Sequence, residues 1–300
     1  MIFVLKLNNK KFKLLNYYVN FFTNLSPTNN FIIMLLTNNN NQYKLLIVMF
    51  CFITCCTKSI LYSQILPQEK IKYKTISQIP TISNYNRIIC DSNSFGFYLR
   101  NLELKISNNI VYLYNNTPKY NQNAQYAIIK IDVGNKDLQQ CADAVMRLKG
   151  EYLFSLKKFK DIHFCFLSDG KPRYYTDYCN GNFSYNKFKD YMNYIFSFAN
   201  TASLKKELKH INNVEDIEIG DVFIQTGNPY GHAIIIVDVA INKNKEKIFM
   251  LAQSYMPAQE IHILKNPNNN NLSPWYSADF EEILETPEWT FTKNDLYRFP

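Results

Sequence analysis

Residues 220–255 read GDVFIQTGNPYGHAIIIVDVAINKNKEKIFMLAQSY. The stretch predicts three strands in succession, at 222–225, 233–240 and 248–253. The middle one, AIIIVDVA, is almost wholly apolar, which suits a strand covered on both faces. Residues 241–246 are polar and short enough for a hairpin turn. With Ala240 set against Lys247, His232 falls opposite residues 253–255. The segment Tyr255-Met-Pro-Ala-Gln-Glu260 then predicts a second tight return, which brings residues 260–264 back beside Gln253, with Gln253 near His262. Two histidines and a glutamine therefore gather at one end of a small antiparallel meander. The register matters, because a slip of one residue turns every side chain to the other face.

The rest of the chain supplies the body around this meander. It has 300 residues, 47% of them hydrophobic, with 22 Tyr and 22 Phe, so a sizeable core is within reach. The net charge of +8 is scattered and interleaved with asparagine. That pattern predicts a solvated surface rather than a nucleic-acid face. Glycine occurs only eight times, and no glycine-rich phosphate loop is present.

Residues 1–63 read as a leader. A polar segment ending in Lys44 precedes the run LLIVMFCFITCC at 45–56, shorter than the roughly 20 residues that span a bilayer. Two exits are open: acylation of Cys56 in the lipobox-like Ile53-Thr54-Cys55-Cys56, or cleavage after Ser63. An uncleaved anchor is the third alternative. The expectation is export, to the periplasm or the outer membrane, with membrane contact only through the leader or a lipid anchor at Cys56. Residues 64–93 read as a connecting arm and 94–300 as one domain. Beyond the leader stand Cys90, Cys141, Cys165 and Cys179, with no C-x-x-C spacing. A disulfide between Cys165 and Cys179, across the turn between them, is one expectation.

Within the domain, alternation predicts a hairpin of strands at 95–104 and 110–114, then a strand at 126–133. Asp137 is the predicted cap of a helix that carries Cys141. A strand at 162–167, an aromatic loop at 174–183, a helix after Ser184 and a short helix at 203–211 follow. The end of the chain alternates rings with polar residues, as edge strands do.

One constellation carries chemistry. Cys141 lies near a helix start, where the dipole and unpaired amides favour a thiolate. His232, at the mouth of a buried strand, can serve as its base, and Gln253 on the next strand can orient the imidazole. Tyr230, Tyr255, Gln259 and His262 are the candidate substrate contacts. The bland readings stand beside these. Leu138, Cys141, Val145, Leu148 and Tyr152 form a helical stripe, which makes Cys141 a packed, inert thiol. His232 can be an imidazole satisfied by a carbonyl, and Gln259 and His262 can be sheet-surface residues. A metal hydrolase built on His232 and His262 lacks a carboxylate spaced with them.

Gln140-Cys141-Ala-Asp-Ala-Val, Gly220-Asp221-Val222-Phe223 and Gly231-His232-Ala233-Ile-Ile-Ile-Val, in that order, resemble the papain-like amidases and peptidases of the NlpC/P60 and CHAP kind. The distance from Cys141 to Gly220 is longer here than in those families. The resemblance implies an α+β fold: a papain-like antiparallel sheet packed against a nucleophile helix, with extra helices inserted. It implies a cysteine hydrolase of amide bonds, acting on peptidoglycan or another envelope polymer with Cys141, His232 and Gln253 and without a cofactor or metal. The alternative is a non-catalytic envelope module binding through Tyr174, Tyr175, Tyr178, Trp275 and Trp289. A second resemblance covers residues 94–300. QYAIIKIDVGNKDLQQCADAVMRLKGEYL, GDVFIQTGNPYGHAIIIVDVA, LAQSYMPAQEIHILKNP, SPWY and TPEW together resemble the DUF4846 family. That implies an exported bacterial protein and no established activity.

Overall fold

The computed structural model describes residues 72–227 and 230–300. The leader at 1–63, Cys56 included, lies outside the described residues. In chain order come β1 (Tyr85–Arg87), α1 (Phe95–Arg100), β2 (Gln125–Ile128) and α2 (Cys141–Ser155). Next come β3 (His163–Cys165), β4 (Pro172–Tyr174), α3 (Tyr175–Cys179), α4 (Tyr185–Phe196), α5 (Thr201–Glu207) and β5 (Lys209–His210). The meander comprises β6 (Val222–Gln225), β7 (His232–Asn242), β8 (Lys247–Gln253) and β9 (His262–Leu264). The chain closes with β10 (Trp275–Ser277), β11 (Ile283–Glu285), β12 (Thr290–Thr292) and β13 (Leu296–Arg298).

The architecture is α+β, built on a nine-stranded sheet of order β2-β9-β8-β7-β6-β13-β5. β7 and β8 are long enough to be shared. β6 pairs with the start of β7 while β1 pairs with its end, and β9 and β10 divide β8 in the same way. Every pairing in this sheet is antiparallel.

The sequence register needs one correction. At the turn, Ala240 pairs with Ile248 rather than Lys247, one residue off the expectation. A bulge between Ile236 and Asp238 absorbs the difference, so Ile235 faces Ala252 and the far end returns to the expected alignment. Asp238, in the bulge, has a fully buried side chain held at 2.6 Å by both Arg87 and Arg100.

Alternation along β7 divides the core into two layers. Ala233, Ile235 and Val237 face α2, whose Ala142, Val145 and Leu148 pack in the same cluster as Val222, Ile224 and Ala252. Ile234 and Ile236 face the other way, with Phe223, Leu251, Leu264, Leu284 and Phe291. A sheet covered on both faces explains why β7 carries an unbroken apolar run.

Several expectations are revised. The strand expected at 95–104 begins as α1. Ser94 caps it, its Oγ accepting from the Phe97 amide at 3.1 Å, and the buried Gly96, Leu99 and Arg100 have helical spacing. Residues 110–114 make only isolated bridges, Tyr112 with Pro118 and Leu113 with Gln259. The arm expected at 64–93 is, from residue 72 on, part of the fold: Ile76 and Ile79 are fully buried and β1 joins the sheet. The described residues, 72–227 and 230–300, all belong to one compact unit. Cys165 and Cys179 are free thiols, so the disulfide is not formed. Among the described residues, no helix is long and apolar enough to cross a membrane.

Candidate active site

The α2 start is set by Asp143, not by Asp137. The Gln140 amide donates to Asp143 Oδ2 at 3.1 Å, which makes Gln140 the cap and Cys141 the first helical residue. Asp137 instead accepts from the Ala258 amide at 2.7 Å, tying the β8–β9 return to the chain before α2. Cys141 therefore sits nearer the free amides of the first turn than the sequence suggested. It lines a cleft of about 240 Å³ with Gln140, Asn200, Thr201, Tyr230 and Met256. A larger groove of about 460 Å³, lined by Phe97, Tyr98 and Tyr152, contains none of the candidate residues.

Position at the helix start does not yield a thiolate. Burial pushes the Cys141 thiol up to about 11, and the nearby Asp143 adds to the rise. The amides of Ala233, Ala142 and Cys141 itself pull the other way. The resting group is a neutral thiol that nonetheless has backbone donors gathered about its sulfur.

His232 is placed by Gly231. A Cβ at residue 231 would lie 2.1 Å from the Gln225 carbonyl oxygen, so only glycine allows the β6 and β7 backbones to close at this point. The imidazole is buried and ringed by Tyr255, Trp289 and Phe291, with centroids 4.8, 5.2 and 5.9 Å away. Its Nε2 lies 2.9 Å from Gln253 Oε1, while Nδ1 has no hydrogen-bond partner among the described residues. Burial lowers its pKa to about 4, so the ring is neutral.

The meander brings His232, Gln253 and His262 together as the sequence arrangement suggested, with Gln253 paired directly to His262. All three lie on the face away from α2. Cys141 begins α2, which packs on the other face, and the Ala233 amide is among the groups that lower its thiol pKa. Tyr255 borders both groups: its ring packs on His232, and burial, Glu288 and Cys141 all raise its hydroxyl pKa.

The remaining candidates separate. Tyr230 is exposed and lines the cleft. Gln259 and His262 are buried, so neither is a sheet-surface residue. His262 Nδ1 lies 2.9 Å from the Glu260 carbonyl oxygen, and burial, helped by the nearby Lys119 charge, lowers its pKa to about 3. Asp221, expected as part of a motif, is structural: Arg298 holds it at 2.6 and 2.9 Å.

Two residues in this network escape a reading of the sequence. Glu288, in the turn between β11 and β12, accepts from Gln253 Nε2 at 2.8 Å and from Lys119 Nζ at 2.5 Å. Lys119 is buried, and its pKa is lowered by desolvation against the opposing pull of Glu288. The only signal for Glu288 is its place in the TPEW motif.

The profile of the family described as a domain of unknown function, DUF4846, matches residues 76–298. The chain belongs to the DUF4846 family. The family's span starts at the buried Ile76 and ends at Arg298, the partner of Asp221, so it takes in the whole sheet. Searches of curated proteins and of solved structures find no match to the chain.

Proposed function

We propose that this DUF4846 protein is a cysteine hydrolase of amide bonds with a papain-like arrangement of the NlpC/P60 and CHAP kind. Its substrate class is peptidoglycan stem peptides at the cell envelope, reached by export through the leader. The observation that carries the reading is a thiol on the first residue of a helix with the Ala233 amide among the groups that lower its pKa, while the residue before Ala233, His232, is a neutral imidazole whose Nε2 lies 2.9 Å from the Gln253 side-chain oxygen.

In this reading Cys141 Sγ attacks the substrate carbonyl carbon while His232 Nδ1 takes the thiol proton. Both groups are neutral at rest, so proton transfer accompanies attack rather than preceding it. The amides of Cys141 and Ala142 hold the resulting oxyanion. The C–N bond then breaks as His232 returns the proton to the leaving amine, leaving a thioester on Cys141. Water attacks the thioester carbon as His232 accepts its proton; the C–S bond then breaks, His232 returns that proton to Cys141 Sγ, and the carboxylic acid leaves.

The second reading is a non-catalytic envelope-binding module, and the burial and raised pKa of Cys141 favour it. Purified sacculi incubated with the full chain separate the two. Under the hydrolase reading, mass spectrometry detects new peptide termini, and Cys141→Ser lowers their release at least about 10³-fold without changing the melting temperature materially. Sedimentation with sacculi and no Cys141-dependent cleavage would establish the module instead.

A further inference from the structure

We propose that Glu288 is a positioning residue: by holding the Gln253 amide in one orientation, it fixes His232 as the tautomer with its proton on Nε2 and its lone pair on Nδ1. The inference deepens the hydrolase reading and rests on it for its catalytic consequence. The tautomer itself follows from hydrogen-bond geometry.

The Glu260 carbonyl oxygen can only accept, so His262 Nδ1, 2.9 Å from it, carries the proton. His262 Nε2 is then an acceptor, and it faces Lys119 Nζ and Gln253 Nε2, each at 3.5 Å. The Glu288 carboxylate is a second and much closer acceptor, 2.8 Å from Gln253 Nε2. Lys119 anchors that carboxylate at 2.5 Å, and Asn121 Nδ2 meets its other oxygen at 3.3 Å.

Two acceptors thus face one end of the Gln253 amide. Turning the amide over would set its oxygen against both of them in a buried site, where unpaired polar contacts are costly. The nitrogen end must face Glu288, and the oxygen end must face His232. Oε1 can only accept, so the 2.9 Å contact requires the proton on His232 Nε2. Nδ1 is left with its lone pair and is available as a base. With the amide reversed, its NH₂ would face His232 Nε2 and drive the proton to Nδ1, and the base would be lost. Of the two acceptors Glu288 dominates, because a 3.5 Å contact is at the limit of a hydrogen bond.

The test reads the tautomer directly, by nitrogen NMR of the full chain labelled with ¹⁵N-histidine. In the wild-type protein His232 should be a single neutral tautomer protonated at Nε2. Lys119→Met with Glu288→Leu removes both charges together, so neither is left buried alone. Glu288→Gln, which keeps the volume, is measured beside it and decides the matter if the double variant does not fold. Each folded variant should show a mixture of His232 tautomers, and sacculus cleavage should fall about 10- to 100-fold in kcat with KM unchanged. Gln253→Glu added to Glu288→Gln gives Lys119 a new carboxylate and offers His232 an acceptor with no donor end. That combination should return the proton to Nε2.

An Nδ1-protonated His232 in the wild-type protein, or an unchanged Nε2 tautomer in the folded variants, overturns the proposal. The two readings fail separately. Absence of Cys141-dependent cleavage removes the hydrolase, while the NMR result still decides whether Glu288 sets the tautomer.

Discussion

The Ala233 amide pulls the Cys141 thiol pKa down although Ala233 and its neighbour His232 point to opposite faces of β7. The thiol and the imidazole therefore lie toward opposite faces at the mouth of one strand, and under the proposed hydrolase any proton transfer between them passes the end of that strand. A single face of the sheet would have been the simpler arrangement. The actual one makes the site depend on how far β7 extends and on what closes it.

Gly231→Ala tests that dependence. Its methyl group would stand 2.1 Å from the Gln225 carbonyl oxygen, which forces the β6–β7 closure apart. Overpacking of this kind costs about 1–3 kcal/mol, so the variant should still fold. The displaced His232 should lower sacculus cleavage more than about 10-fold. Wild-type cleavage rates in a folded Gly231→Ala protein would show that the strand mouth does not position the base.

The thiol makes a prediction opposite to that of a preformed ion pair. An unperturbed cysteine titrates near 8.5, whereas burial pushes Cys141 up to about 11. Alkylation of Cys141 by iodoacetamide, followed by mass spectrometry of the native protein, should keep accelerating above pH 9. A rate that levels off by pH 8 would mean the amides of Ala233, Ala142 and Cys141 outweigh desolvation.

Acid should destabilise the fold through the two buried histidines. In the unfolded chain each titrates near 6.5; in the fold they are lowered to about 4 for His232 and about 3 for His262. Between these values the unfolded state binds more protons, so stability rises with pH. Their contribution is complete above about pH 6.5 and is lost as pH falls toward 4 and then 3, a loss of roughly a few kcal/mol for each histidine. Urea unfolding at a series of pH values should show this slope, and His262→Gln should make it shallower. Equal slopes for the two proteins would exclude His262 as a source.

Asp238 should be the most sensitive polar position away from the site. Its carboxylate is fully buried between Arg87 and Arg100 at the β7 bulge. Asp238→Ala leaves Arg87 and Arg100 without their counter-ion, held only by the carbonyls of Ile76, Ile79, Ile88 and Val239, and should cost roughly 3–5 kcal/mol in urea unfolding. A loss below about 1 kcal/mol would show that the arginines find other acceptors or reach solvent.

The meander was legible in the sequence because its information is local. An apolar run between polar turns specifies a covered hairpin, and turn lengths carry the register as far as His232, Gln253 and His262. Ser184 likewise announces α4, since a cap acts on the amides next to it. The alternation at 95–104 misled because Phe95, Phe97 and Leu99 fit a strand on paper, while the Ser94 cap and a helical burial face chose α1.

What the sequence alone determined is the order of the candidate groups, with a thiol ahead of an imidazole and an amide one strand later, and the family to which the chain belongs. The tertiary structure decided which face each group occupies, how deeply the thiol is buried, and that Lys119 and Glu288 meet behind Gln253. Residues 119, 253 and 288 come together only when separate turns pack at one end of the sheet. A buried charge or amide is tolerated only where the fold supplies its partner, and no local pattern of residues records where that partner will come from.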